Sequence, residues 1–213
     1  MRASSLIAAL VVCAGLSSQA SAAPFLYTNG PLNGTVDGVN IYSPGDELSD
    51  SFVLSQAAVV TGVTFGVWVR PGNTVNTVDY GITTTPETYT DNGTVSVTSG
   101  PATGPNSFGY NVSTDLFSIP PTSLAAGTYY LVLQNATVSG TNPSLYNVYW
   151  DQNSGPSSAT HSIDGPIASE SFSILGTYTV SSVPLPAALP LFASGLVGLG
   201  LLGWRRKRKA IAA

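Results

Sequence analysis

Positive charge is almost missing from the body of this 213-residue chain. Between residues 3 and 204 the one cation is Arg70, and lysine does not occur before Lys207. All eleven carboxylates lie between Asp37 and Glu170, so the stretch 23–182 carries one cation against eleven anions, a formal charge of −10. The whole-chain value of −4 hides this split. A surface with one arginine and no lysine has nothing with which to neutralise phosphates, which excludes nucleic acid as a partner. Cysteine and histidine are as scarce, with Cys13 and His161 the sole examples. A disulfide within the chain is therefore impossible, and so is a metal site built from several histidines of one chain. Neither His-Glu-x-x-His nor Gly-x-Ser-x-Gly occurs, and no lysine in 23–182 could serve as a base.

What is present begins with a leader. Arg2 supplies a positive start, residues 6–16 a short apolar run, and Ala20-Ser21-Ala22 a small-residue cleavage site. The apolar run is too short to cross a bilayer as a mature helix. Residues 1–22 are thus expected to be a signal peptide cut after Ala22, with Ala20 and Ala22 read by signal peptidase. Cys13 leaves with it. The expected exported domain, 23–182, has 160 residues, ample for one hydrophobic core.

Helix formers are scarce in that domain, while Thr, Val, Tyr, Ser, Gly and Asn abound, a composition of short strands and turns. Strands are expected at 51–54, 59–70, 75–83, 94–98, 108–119, 128–133, 146–150 and 171–180. Within 59–70, Val63, Phe65, Val67 and Val69 alternate onto one face until Pro71-Gly72-Asn73 stops the run. Asp91-Asn92-Gly93 signals a hairpin, and Pro120-Pro121 is expected to close the strand before it. In Tyr129-Tyr130-Leu131-Val132-Leu133 both faces are apolar, as suits a central strand. Eight or so strands at this spacing, without helices between them, predict an all-β domain: a two-sheet β-sandwich of jelly-roll or immunoglobulin-like type.

Candidate chemistry is sparse. His161 lies among Ser157, Ser158, Thr160 and Ser162, and reads as a solvated loop histidine that Asp164 could meet. Asp151, Asp164 and Glu170 are formal candidates for the carboxylate pair of a hydrolase, since such residues need not be neighbours in sequence. Asp46, Glu47 and Asp50 offer oxygen ligands for calcium, although their spacing does not fit an EF-hand and turn chemistry explains Asp beside Gly. No other cofactor is indicated. The most distinctive internal stretch runs from Tyr146 through Tyr149-Trp150-Asp151-Gln152-Asn153 to Ser158, with aromatics feeding into a loop of amides and hydroxyls. Tyr149, Trp150 and Asn153 are therefore candidates for sugar binding, with a ring for stacking and neutral donors beside it. The plainer reading is a strand ending in a core Trp, followed by a turn.

The end of the chain is patterned differently. Val183, Pro184, Leu185, Pro186 and Ala187 open it, residues 185–204 follow without a charge, and Arg205, Arg206, Lys207, Arg208 and Lys209 close it before a short tail, 210–213. As a helix, twenty uncharged residues reach about 30 Å, enough to cross a hydrocarbon core. The cations hold their end in the cytoplasm. This predicts a single C-terminal transmembrane helix in the inner membrane, with the domain outside. Hydropathy alone would make it an ordinary anchor. The order of parts in 183–209 resembles the PEP-CTERM sorting signal of Gram-negative exported proteins, in its Val-Pro-Leu-Pro-Ala variant. The resemblance covers about one-eighth of the chain. It implies recognition and processing by an exosortase after passage through the secretion translocon. It also implies a final place at the cell surface or outside the cell, in the company of exopolysaccharide and biofilm matrix. The Trp-Asp-x-Asn-x-Gly-Pro-Ser segment at 150–157 is similar to one in uncharacterised proteins of the same class. On these grounds the chain is expected to be a surface or matrix protein without catalysis, with a carbohydrate-binding module as the alternative and a secreted hydrolase as a weaker third.

Overall fold

The computed structural model describes residues 24–179, apart from 36, 43–46, 87–90 and 142–146. The leader, the sorting tail and Asp46 lie outside the described residues. Within them twelve strands occur: β1 (Phe25–Thr28), β2 (Gly38–Asn40), β3 (Leu48–Leu54), β4 (Ala58–Val69), β5 (Asn73–Thr83) and β6 (Gly93–Thr98). They continue with β7 (Asn111–Leu124), β8 (Gly127–Gly140), β9 (Val148–Asp151), β10 (Ala159–His161), β11 (Gly165–Ile167) and β12 (Phe172–Tyr178). The described residues contain no helix, and so none long and apolar enough to cross a membrane.

Neighbouring strands pair antiparallel along the path β1-β12-β4-β7-β6-β5-β8-β3-β10-β11, and β9 with β2 joins beside β4. The long strand β4 organises one end of this path. Its first part pairs with β12 through Ala58–Phe65 and its last three residues pair with β9, while β7 runs along the opposite edge. The alternation read in the sequence is what buries it: Val63, Phe65 and Val67 are fully buried on one face. At its end Pro71-Gly72 turns the chain, with Gly72 at φ +85°, a conformation that favours glycine, and Asn73 N donating to Arg70 O at 3.0 Å.

The sheet curls back on itself. Phe52 of β3 lies edge-on to Phe172 of β12 with centroids 6.5 Å apart, although the two strands are far apart along the hydrogen-bonded path. Tyr80 of β5 meets Phe117 of β7 at 5.8 Å. These rings, with Trp150, Phe65 and Leu133, form the core between the two halves of the curl. Strand β8 sits between β5 and β3, and Leu131, Val132 and Leu133 are all buried, as its two apolar faces require.

Two expectations are corrected. Pro120-Pro121 does not end β7, which runs on to Leu124. The register shifts there, Gly62 facing Ser118 and Val60 facing Thr122, so the prolines sit in a bulge opposite Thr61 and need donate nothing to the ladder. The short strands β1, β2, β10 and β11 carry too little period of their own to be read from sequence. Pairing with β12, β9, β3 and β10 respectively makes them strands. The Asp91-Asn92-Gly93 hairpin does form: Asn92 Oδ1 accepts from Ile82 N at 2.7 Å and Asp91 Oδ1 from Gly93 N at 2.7 Å.

Candidate functional site

The three residues expected to form a sugar site do not come together. Trp150 is 0% exposed and belongs to the core, its indole N–H donating to Ser171 O at 2.9 Å and its ring edge-on to Phe172. It cannot present a stacking face. The physical reason lies in β9, which is flanked by β2 and β4, so Val39 and Val67 neighbour Trp150 as register partners and its ring joins Phe172 in the core. Asn153 is also buried, and its amide is fully engaged. Its NH2 group donates to Asn29 O at 2.7 Å, while Oδ1 accepts from Gly155 N and Ser169 Oγ, both at 2.9 Å. It staples the N-terminal loop to the 153–155 turn. Tyr149 alone remains half-buried and reachable.

Of the expected calcium ligands Asp46 lies outside the described residues, and Asp50 and Glu47 have structural partners. Asp50 is not a loop residue: it is buried in β3, and its oxygens accept from Ser51 N at 2.6 Å, Glu170 N at 2.6 Å and Asn29 Nδ2 at 3.1 Å. With those lone pairs taken by N–H groups, little is left for an ion. Glu47, just before β3, anchors the backbone around Ser162. Among the described residues no group of three carboxylates or other ligating side chains is placed to hold a metal.

Asp50 is instead half of a buried acid pair. Burial pushes its carboxyl up to about 6, against the pull of its hydrogen bonds. Glu170 is 0% exposed, and neither carboxylate oxygen has a hydrogen-bond partner within bonding geometry. Burial first, and the negative charge of Asp50 second, raise its carboxyl well above the usual range, with Asp151 and Asp37 adding to the push. Three N–H donors favour the anion at Asp50, whereas at Glu170 the Gln152 side chain alone pulls the other way and is outweighed by burial, so the proton of the pair belongs on Glu170.

Asp151 is a third buried carboxylate. Its oxygens accept from Trp68 Nε1 at 2.6 Å, Gly34 N at 2.6 Å and Asn33 N at 2.7 Å, fastening the 33–34 loop and the Trp68 indole to β9. Burial raises its carboxyl too, against those bonds. Asp164 lies apart and exposed, bonded to His161 Nδ1 at 2.8 Å. His161 itself is not a solvated loop residue. It is 7% exposed at the end of β10, where pairing with β3 and β11 covers it. Of the formal hydrolase candidates, Asp151 and Glu170 are enclosed and Asp164 is open. They do not share a cleft.

A site invisible in the sequence lies beside Tyr149. Gly38, Trp68, Phe108, Tyr110 and Tyr149, with the exposed Asp37, line a shallow cleft of about 180 Å3. Phe108 is 53% exposed and stacks on Trp68 with centroids 5.7 Å apart, and Tyr149 stands edge-on to Tyr110 at 5.1 Å. Burial, followed by the neighbouring Tyr110, pushes the Tyr149 phenol up to about 12, so its O–H stays protonated as a donor. The larger cleft of about 470 Å3, between Phe25, Leu32, Thr64 and Phe172, has no ionisable side chain in its lining. Four separate segments build the aromatic cleft, and only tertiary pairing could have revealed it. The chain matches no known protein-family model and no curated protein.

Proposed function

We propose that this chain is an exported protein of the cell surface or extracellular matrix, sorted by an exosortase, whose domain acts by binding rather than by catalysis. The observation that carries the reading is the order of parts at the end of the chain: Pro184 and Pro186, twenty uncharged residues, then five consecutive cations, preceded by a domain of charge −10. Cations confined to the end hold that end inside, and an anionic, lysine-free body suits life outside. The use made of the carboxylates supports the absence of catalysis. Asp50, Asp115 and Asp151 each accept several hydrogen bonds that tie strands and loops together, a structural employment. The same reading takes the curled antiparallel sheet as a sandwich of jelly-roll or immunoglobulin-like type, supported by the Phe52–Phe172 contact across its interior.

The test is expression of the full chain, tagged after Ala213, in a Gram-negative host with and without an exosortase. The expected outcome is loss of the tag and release of the domain only when the exosortase is present. An intact, tagged chain retained in the inner membrane of the native host would reduce the tail to an ordinary anchor.

A further inference from the structure

We propose that the cleft between Asp37 and the rings of Trp68, Phe108, Tyr110 and Tyr149 binds one neutral pyranose ring of a polysaccharide. Its size sets the first limit. About 180 Å3 is below the roughly 300–1,000 Å3 of pockets that enclose drug-sized ligands, so it admits one ring and leaves the rest of a chain in solvent. Its surface sets the second. Phe108 and Tyr149 offer aromatic area to the C–H face of a sugar, while Asp37 and the Tyr149 hydroxyl, held by Asn147 Nδ2 at 2.8 Å, offer an acceptor and a donor to its hydroxyls. Its lining includes a carboxylate, which that of the larger cleft does not.

Charge decides the class of ligand. An organic cation would suit aromatic walls and be drawn by Asp37, but the Arg70 guanidinium already occupies the Tyr110 face, 4.0 Å from its centroid, and repels a second cation there. No carboxylate among the described residues lies within ion-pair distance of Arg70, so its charge is not cancelled at short range. An anionic sugar would meet Asp37 at the mouth and the −10 field of the whole domain. A neutral ring bearing hydroxyls meets neither penalty. Gly38 packs closely against the wall: a Cβ there would come to 3.0 Å from Tyr149 Cβ and 3.3 Å from Trp68 Cδ2. The Phe108 segment is tied to Arg70, whose Nη1 donates to the Phe108 carbonyl at 3.5 Å.

The experiment uses the full chain in a polyoxyethylene detergent, which carries neither sugar nor choline. Saturation-transfer NMR would be run against methyl glucoside, galactoside and mannoside, with sodium glucuronate and choline chloride as competing classes. At least one neutral glycoside is expected to receive saturation, most strongly on the protons of one ring face. Asp37→Asn should weaken that binding about tenfold, the cost of losing a charge-assisted hydrogen bond. Phe108→Ala should weaken it about fivefold through lost stacking. Asparagine at position 37 can still accept from Gly38 N as Asp37 Oδ1 does at 2.8 Å, so that variant carries the test even if Phe108→Ala lowers the melting temperature. The proposal is overturned if no neutral glycoside binds, if choline or glucuronate binds better, or if Asp37→Asn binds as the wild type does. Sorting plays no part in this assay. A silent cleft therefore leaves the exosortase reading untouched, and an unprocessed tail leaves the cleft untouched.

Discussion

Replacing Glu170 by glutamine tests the buried acid pair directly. In the unfolded chain Glu170 titrates near its ordinary value of 4.5, while in the fold it stays protonated to much higher pH. Between those two limits the folded state binds one proton more than the unfolded state, so stability falls as pH rises, by about 1.4 kcal/mol per pH unit. Below 4.5 the group is protonated in both states and this contribution vanishes. Asp50 adds a similar loss at lower pH. Raised from 3.8 to about 6, it costs about 3 kcal/mol once pH exceeds both values. The glutamine side chain is neutral throughout, and no hydrogen bond within bonding geometry is lost from the carboxylate oxygens it replaces. Glu170→Gln should therefore keep the Asp50 loss and drop the Glu170 one. At about pH 4 the two proteins should be closely matched. Above 4.5 the variant should become steadily more stable than the wild type as pH rises, with a melting temperature that pulls ahead in step, for as long as the folded Glu170 keeps its proton. Urea titrations and thermal melts of the full chain between about pH 4 and pH 8 would measure it. A gap that stays constant with pH, or closes as pH rises, would refute the assignment of the proton to Glu170.

Two further outcomes follow from the same packing. Trp150→Ala should lower stability by about 3–5 kcal/mol through cavity formation at a fully buried site. Circular dichroism would show it as an early melt, whereas a variant that melts like the wild type and loses only ligand retention would return Trp150 to the surface. Asp151→Asn puts an NH2 group where one oxygen now accepts, leaving a donor facing Asn33 N or the Trp68 N–H and Gly34 N pair. The expected loss is about 1–3 kcal/mol, together with a change in Trp68 fluorescence. Unchanged stability and emission would mean that this carboxylate fastens nothing.

Much of the architecture was legible before any coordinate. The period-two alternation of Val63, Phe65 and Val67, the turn at Pro71-Gly72 and the Asp91-Asn92-Gly93 hairpin are local effects of steric preference and turn chemistry, and each appears where sequence places it. The twin apolar faces of 129–133 likewise foretold a strand with a neighbour on either side. The continuation of β7 through Pro120-Pro121 was not legible, because whether a proline ends a strand depends on what its partner demands. A bulge opposite Thr61 removes that demand.

The site residues divide along the same line. Alternation puts Tyr149 and Trp150 on opposite faces of β9, but it cannot say which face is covered. Burial of the Trp150 ring in the core beside Phe172 decided that, and left Tyr149 to the cleft. Sequence by itself determined the all-β character and the segregation of charge, because both follow from composition and near-neighbour pattern. Tertiary structure alone decided that Asp50 and Glu170 share a buried site 120 residues apart, that Asn153 is a staple, and that Phe108 lies on Trp68 beside Asp37. Those relations depend on which strands pair and how far the sheet curls, and pairing between distant segments is a property of the whole core rather than of any stretch of chain.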